Sequence, residues 1–317
     1  MSVRHALFST SSIMALYLIA LIWVDSNNQI FHEFSNVLEV FPILIGLSLV
    51  SFLLRYLRWY WLLSRAGTRT NVIFAYFAYL AGFAFTATPG KLGELIRIRY
   101  LAYKGVPPWL VLAAFIYERV FDLMAVLILS ALAISRIDIF VFVFGFVVLI
   151  LAGLVCVALN PGWLTKTSAY LRLYRLKKLA LICLMLRDGI SGCRVWVTPL
   201  DVLLSMALGL LAWIVTSFSF VLLLNYLGVS IPILSSLAIY PLSMLAGAAS
   251  MMPGGLGSTE ITIVALLSYF NVPIATATLA AIGIRFSSMW FSVICGLIAM
   301  GILEGARFFS TTKSAST

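Results

Sequence analysis

The fold is decided by residues 72–103, which read VIFAYFAYLAGFAFTATPGKLGELIRIRYLAY. An apolar run, 72–88, ends at Pro89 and Gly90, and a second short apolar run, about 92–103, follows. Proline lacks the amide N–H that a helix needs and glycine costs backbone entropy, so this pair ends a helix. Neither run reaches the roughly 20 apolar residues that cross a bilayer. The sequence therefore predicts a helical hairpin with Pro89, Gly90 and Gly93 at its tip.

The composition places this hairpin in a membrane. The chain has 317 residues, of which 63% are hydrophobic and 10% charged, against about 45–50% and about 25% in soluble domains. This composition argues against a soluble enzyme, a nucleic-acid-binding module and a disordered protein. The net charge of +10 comes from 21 Lys and Arg against 11 Asp and Glu, so it reflects a shortage of acids. We expect a polytopic all-α membrane protein and no nucleic-acid partner.

Six apolar runs are long enough to cross the bilayer as full helices, and the whole chain, 1–317, forms one membrane domain. The first run has no small-residue cleavage site, so we expect an uncleaved helix and not a signal peptide. The predicted spans are 7–24, 40–64, 109–134, 139–159, 201–226 and 274–303.

A second interrupted stretch repeats the pattern of the first. Apolar runs 233–252 and 258–270 flank a tip of matching sequence, and in each half an arginine lies 25 residues after a glutamate. These pairs are Glu94 with Arg119 and Glu260 with Arg285. The second tip contains Pro253, Gly254, Gly255 and Gly257. The sequence therefore predicts two repeats, about 40–134 and 201–303.

The distribution of basic residues predicts that the second repeat is inverted. Loop 25–39 has three acids and no Lys or Arg, whereas loop 160–200 has seven bases. Basic loops stay on the cytoplasmic side, so both termini are expected there, in the cell membrane. Hairpins do not change the side of the chain, so the first enters from inside and the second from outside. Inverted repeats with broken helices that meet near the midplane are typical of transporters.

Charged side chains inside the membrane are costly and mark functional sites. Glu118 and Asp122 share a helix face, so their repulsion requires a second cation besides Arg119. Lys91 or Arg97 on the first hairpin is the predicted supplier, whereas Arg55 and Arg58 are expected to extend toward the inner surface. The unpaired N–H groups at broken helices also favour anions. The predicted substrate-binding residues are Lys91, Glu94, Arg97, Glu118, Arg119, Asp122, Glu260 and Arg285.

The sequence has few residues that could form a metal site or a catalytic triad. The only histidines are His5 and His32, and the four cysteines have no metal-ligand spacing. We therefore expect no metal site, no cofactor and no catalytic triad. A structural ion-pair network accounts for the same charges as well as a substrate site does.

The motifs resemble those of a known family. Thr88 to Glu94, Glu118-Arg119-x-x-Asp122 and Pro253 to Glu260 are similar to the signatures of the lysylphosphatidylglycerol synthase transmembrane-region family, over about residues 10–305. This flippase-like domain forms the N-terminal half of multiple-peptide-resistance factor. The resemblance implies a domain that moves a lipid between leaflets. These 317 residues contain no synthase domain, so synthase activity is not expected.

Within the basic loop 160–200, apolar and basic residues alternate at helical spacing over 171–182, which predicts an amphipathic helix on anionic lipid. The alternative is an ordinary loop that sets topology. The leading hypothesis is a non-enzymatic transporter of an anionic, phosphate-containing lipid: a phospholipid, an aminoacyl-phospholipid or a polyprenyl-phosphate-linked sugar. Two alternatives stay open. One is a membrane enzyme that uses Glu94, Glu118 or Asp122 on a lipid-linked phosphate, and the other is an accessory subunit of an envelope-assembly complex. A homo-oligomer and a lipid-synthesising partner enzyme are also left open.

Overall fold

The structure, a computed structural model, describes residues 37–131, 160–250 and 252–315, with the isolated residues 145, 148, 149, 152 and 153. The predicted span 7–24, and 139–159 apart from those isolated residues, lie outside the described part. The described ranges are helical. The α-helices are α1 (Phe41–Arg65), α2 (Val72–Phe83), α3 (Arg97–Ala102), α4 (Pro108–Ala131), α5 (Gly162–Leu173), α6 (Lys177–Gly192), α7 (Pro199–Tyr226), α8 (Ile233–Ala249), α9 (Ser258–Tyr269), α10 (Ile274–Arg285) and α11 (Phe291–Ala315).

Short segments of tighter or wider helix complete the chain at the two tips and after Arg285. Each tip contains a 3₁₀ segment, Pro89–Ile96 in the first and Pro253–Gly255 in the second. A third 3₁₀ segment, Cys193–Trp196, precedes α7. A π-helical segment, Phe286–Trp290, joins α10 to α11.

Within the described residues, three helices are long and apolar enough to cross a membrane: Phe41–Arg65, Pro199–Tyr226 and Ile274–Ala306. They coincide closely with the predicted spans 40–64, 201–226 and 274–303. Helix α4 has 24 residues, a length that would also cross a bilayer. It carries Glu118, Arg119 and Asp122 in its middle.

Local signals in the sequence explain where the helices begin. The Asn71 side chain accepts hydrogen bonds from the N–H groups of Ile73 and Phe74 and so caps α2. Thr198 caps α7 in the same way, because its oxygen accepts the N–H of Asp201. The Asp201 carboxylate in turn accepts bonds from Trp61 and Arg65 and ties the end of α1 to the start of α7.

The helices form two apolar cores. Core A contains residues from 37–44, the end of α4, and α7 to α10, whereas core B contains the second half of α1, α2, α3, the start of α4 and the end of α11. Helix α1 thus runs from core A to core B and α4 runs back. Residues 75–85 and 100–101 of the first hairpin lie in core B, and residues 238–245 and 263–267 of the second lie in core A.

Helices of one half of the chain also pack against helices of the other half. Helix α1 packs against its counterpart α7, α2 of the first hairpin packs on α11, and α8 of the second hairpin packs on α4. The second hairpin therefore packs on α4, which bears Arg119, and the first packs on α11, which follows Arg285 and the π-helical segment. The two tips touch each other, with Gly254 against Ala87.

Candidate functional site: a charged layer between two apolar cores

A layer of charged side chains separates the two cores. Arg58, Glu94, Arg97, Glu118 and Asp122 are each at most 5% exposed. Burying an isolated charge costs several kcal/mol, so buried charges require partners. The helices that supply them are α1, α3, α4 and the first tip.

Arg97 holds the first hairpin to α4. Its guanidinium lies 3.0 Å from Glu94 and 3.3 Å from Glu118, and its Nε donates to the carbonyl of Tyr79. The guanidinium also stacks 4.0 Å from the centre of the Tyr79 ring. Arg97 is therefore one of the additional cations at the Glu118–Asp122 pair, and it contacts Glu118.

Room for Arg97 comes from Gly82 on α2. A side chain at this position would collide with the Arg97 guanidinium. Glycine is required here because of this close approach, and Arg97 can therefore cross beneath α2 to reach Glu118.

Asp122 is held by three arginines. The nearest nitrogens lie 2.8 Å away in Arg58, 2.9 Å in Arg55 and 3.3 Å in Arg119. The prediction that Arg55 and Arg58 extend toward the inner surface is wrong. Helix α1 packs against α7 and α4, so this face of α1 points into the bundle and not toward lipid or water. The signal in the sequence was a polar stripe at helical spacing, formed by Ser48, Ser51, Arg55 and Arg58.

Arg119 and Arg285, the two arginines in register, are paired differently. Arg285 lies 2.8 Å from Glu260 and donates to the carbonyl oxygen of Gly254 at 2.7 Å. Arg119 reaches Glu94 at 3.7 Å only, because Arg97 takes the closer position on that carboxylate. The predicted pairing is therefore tight in the second half and loose in the first.

Lys91 sits at the first tip with an unusual backbone. Its φ is +56°, a conformation that costs an L-residue about 1–2 kcal/mol. The matching position of the second tip is Gly255, with φ +65°. Lys91 forms no ion pair with any described residue, and its side chain lines two adjoining cavities.

These cavities lie between the two tips. The first has a volume of about 90 Å³ and the second, more apolar one about 270 Å³. Both are lined by Lys91, Arg119, Trp213, Met244 and Gly254. The charged lining residues of the two together are Arg55, Lys91, Arg119, Arg285, Glu94 and Asp122.

The lining charges leave a surplus of two positive charges in a buried space, because four cations face two carboxylates. The polar remainder of the smaller cavity is hydroxyl groups, which sequence reasoning did not identify. Arg97, Glu118 and Glu260 do not line either cavity. Arg97 and Glu118 contact residues at the rim from behind, and Glu260 supports Arg285.

The segment 160–200 is helical, as predicted, but in two pieces. Arg175 has φ +58° and separates α5 from α6, so a single amphipathic helix across residues 171–182 is wrong. The two helices pack on each other, and α6 packs on α4. Their outward side exposes large apolar residues among the bases, including Trp163, Tyr170, Leu173, Leu179 and Ile182.

Comparison with known proteins identifies the family of this chain. Residues 7–296 match the family model described as lysylphosphatidylglycerol synthase TM region. A segment of 101 residues is 31% identical to a "UPF0104 membrane protein" of Methanothermobacter thermautotrophicus. That segment is 32% of this chain and 30% of the relative, so the chain spans less than a third of that curated protein. The family match covers most of the chain. The described residues also include apolar helices that are long enough to cross a bilayer. The chain is a multi-pass membrane protein and belongs to the lysylphosphatidylglycerol synthase transmembrane-region family.

Proposed function

We propose that this protein is a lipid transporter that moves an anionic, phosphate-bearing headgroup between the leaflets through the cavity between its two tips. One observation carries the proposal: Arg119 and Arg285, from different halves of the chain, line the same buried cavity, which has a surplus of positive charge. A phosphate supplies the missing negative charge. Guanidinium groups bind it well because they offer paired N–H donors.

The arrangement in the membrane that this function requires is six spans and two inverted, re-entrant hairpins. Several observations support it. Each hairpin leaves from and returns to a single core, whereas α1, α4, α7 and the α10–α11 unit each connect both cores. Helix α4 ends in core A and α7 begins near core B, so one crossing is needed between them, and 139–159 is the apolar run available. Non-helical backbone is tolerated at such depth only where protein or a cavity surrounds it.

The larger cavity gives a lipid a place for the start of its chains. Leu123, Val126, Leu245 and Ala248 line it next to Lys91 and Arg119. The headgroup would lie against the charged layer while the chains stay in an apolar environment. This division avoids the cost of moving hydrocarbon through a polar passage.

The tips are suited to control access to the cavity. Arg285 holds the second tip through the carbonyl of Gly254, and that residue packs on Ala87 of the first. A phosphate that competes for Arg285 would weaken this bond and allow the tips to part. The other half would have the same arrangement in the opposite orientation. A corresponding movement there would open the cavity to the other leaflet, as in transporters with inverted repeats.

We place the protein in the cytoplasmic membrane with both termini inside. The basic segment α5–α6 would lie on the inner surface, where exposed apolar and basic side chains favour anionic lipid. A lipid-synthesising enzyme that delivers its product at that surface is the partner expected.

Leaflet transfer of fluorescent phospholipids in proteoliposomes tests this function. We expect the protein to accelerate transfer of phosphatidylglycerol well above that of phosphatidylethanolamine. The lipids recovered afterwards should be chemically unchanged by mass spectrometry. Transfer no faster than in protein-free vesicles would refute the transporter, and converted lipid without transfer would favour a membrane enzyme.

A further inference from the structure

The smaller cavity has a second wall that the charged layer does not explain. Besides the cations, seven hydroxyl side chains line the cavity from several helices and the first tip, and one of them, Ser51, accepts a hydrogen bond from Nε of Arg55 at 3.5 Å. Ser48 and Ser51 come from α1, Thr216 from α7, and Ser288 from the π-helical segment. One polar wall thus draws on both halves of the chain.

Most of these hydroxyl groups already donate a hydrogen bond within the protein. Ser48 donates to the carbonyl of Ser287 at 2.7 Å, and Thr216 donates to that of Ala212 at 2.9 Å. Ser288 donates to Ile284, and therefore the Tyr240 hydroxyl at 3.0 Å donates to Ser288. A hydroxyl oxygen has two lone pairs, so this wall presents hydrogen-bond acceptors to the cavity.

Two further polar groups at the cavity are buried without a partner in the described part of the chain. They are the Thr86 hydroxyl and the indole N–H of Trp213, on residues that are 8% and 6% exposed. Unpaired buried polar groups are costly and point to a missing partner. The Arg55 guanidinium lies 4.9 Å from the centre of the Trp213 ring, so these polar groups lie beside the cations and against the same cavity.

The partner of this wall must donate hydrogen bonds to the hydroxyl oxygens and accept one from the Trp213 N–H, without carrying a positive charge. An ammonium group would share the cavity with Arg55, Arg119 and Arg285. Among the described lining residues the one carboxylate is that of Glu94, which is already paired with Arg97 at 3.0 Å. A neutral hydroxyl fits both the acceptors and the field of the cations.

We propose that the cavity contains a hydroxyl-binding subsite beside its basic end, and that the transported headgroup is a phosphate ester of a polyol, either glycerol or a sugar. This inference rests on the proposed transport function and narrows its substrate. It also implies that aminoacylated phospholipids are poor substrates, because their headgroup amines find no free carboxylate among the described residues that line the cavity.

Native mass spectrometry of the purified full-length protein tests the subsite. We would titrate phosphatidylglycerol, phosphatidic acid, lysyl-phosphatidylglycerol and phosphatidylethanolamine with matched acyl chains. Phosphatidylglycerol and phosphatidic acid form the first matched pair, with and without headgroup hydroxyls. A polyprenyl-phosphate sugar and the bare polyprenyl phosphate form the second matched pair. The hydroxyl-bearing member of at least one pair should bind about fivefold or more tightly, the effect of about one hydrogen bond, and the favoured pair identifies the source of the polyol.

The variant Thr86→Val gives the sharpest comparison. It replaces an unpartnered hydroxyl by a methyl group of similar size, so the fold should not be weakened. We expect its preference for the hydroxyl-bearing lipid to fall about fivefold, with affinity for phosphatidic acid within twofold of wild type. Ser288→Ala should act in the same direction. Ser130→Ala, at a buried hydroxyl on α4 that does not line the cavity, should keep the preference.

The outcomes separate the two proposals. Equal binding of both members in both pairs overturns the hydroxyl subsite and leaves anionic transport standing. Tighter binding of lysyl-phosphatidylglycerol than of phosphatidylglycerol overturns the charge argument and the subsite with it. Binding of phosphatidylethanolamine as strong as that of the anionic lipids overturns the proposed function itself.

Discussion

Replacing Lys91 with glycine should separate stability from transport. The backbone of Lys91 has φ +56°, and release of that strain is worth about 1–2 kcal/mol. Glycine gives back about 0.5–1 kcal/mol through the greater freedom of the unfolded chain. The net effect on the free energy of unfolding is therefore between about zero and 1.5 kcal/mol of stabilisation. The second tip, which has glycine at the matching position, shows that the backbone tolerates this residue.

The same change removes a cation that faces the cavity and forms no ion pair with the residues that the structure describes. A hydrogen bond to a charged group is worth about 1.5–3 kcal/mol, so binding of a phosphate headgroup should weaken about 10- to 150-fold. Thermal unfolding and lipid titration of the same preparation measure both effects. Lys91→Ala is the matched control, because it removes the cation and keeps the strain. A lower melting temperature for Lys91→Gly with undiminished lipid binding would refute the reasoning.

Three other predictions concern the buried charges, the topology and the basic segment. Glu118→Gln leaves Arg97 and Arg58 without their shared carboxylate and should cost about 3–5 kcal/mol of stability, whereas Arg99→Gln, at an exposed ion pair, should cost under about 1 kcal/mol; equal melting temperatures would contradict this. Single cysteines at Ser26 and Leu227 should react with an impermeant reagent from outside, whereas those at Lys104 and Lys177 should react only from inside. Labelling of Ser26 and Lys104 from the same side would disprove the hairpins. Burial raises the pKa of the Cys193 thiol to about 12, so a variant with Cys193 as its single cysteine should react slowly with maleimide up to about pH 9 and faster only as the pH approaches the pKa, because the thiolate is the reactive form; a rate that levels off near pH 9 would contradict the burial.

The helix positions were largely readable because apolar run length and Pro-Gly tips are local signals. Spans 40–64, 201–226 and 274–303 differ from the observed helices by a few residues. The break at Arg175 was not readable, since nothing in the pattern of residues 171–182 marks a left-handed residue. Its φ of +58° depends on how α5 folds back on α6.

The site was predicted in part, and its gaps have a physical reason. Spacing along the chain identified Glu94 and Arg119 as neighbours, but their separation of 3.7 Å is longer than the 3.0 Å from Glu94 to Arg97. Which of two arginines approaches a carboxylate more closely depends on the path that Gly82 leaves open, a feature of packing. The roles of Arg55 and Arg58 depend likewise on which face of α1 meets α4.

The hydroxyl wall illustrates the same limit. Ser and Thr are common in membrane helices, where each can donate to a carbonyl of its own helix. Nothing in the local sequence shows that Ser48, Thr216 and Ser288 converge on one cavity, because they lie on three elements far apart in the chain. Only the packing of α1 against α7 and the π-helical segment brings them together.

The most direct test of transport through the cavity between the tips is the rate of phosphatidylglycerol transfer by Arg119→Lys and Arg285→Lys in proteoliposomes. Both arginines line this cavity, and lysine keeps the charge but loses the paired donors. We expect each variant to transfer lipid about tenfold more slowly. Their melting temperatures should stay near that of Arg187→Lys, a change at an exposed ion pair outside the cavity. Wild-type transfer rates in stably folded Arg119→Lys and Arg285→Lys proteins would contradict the account.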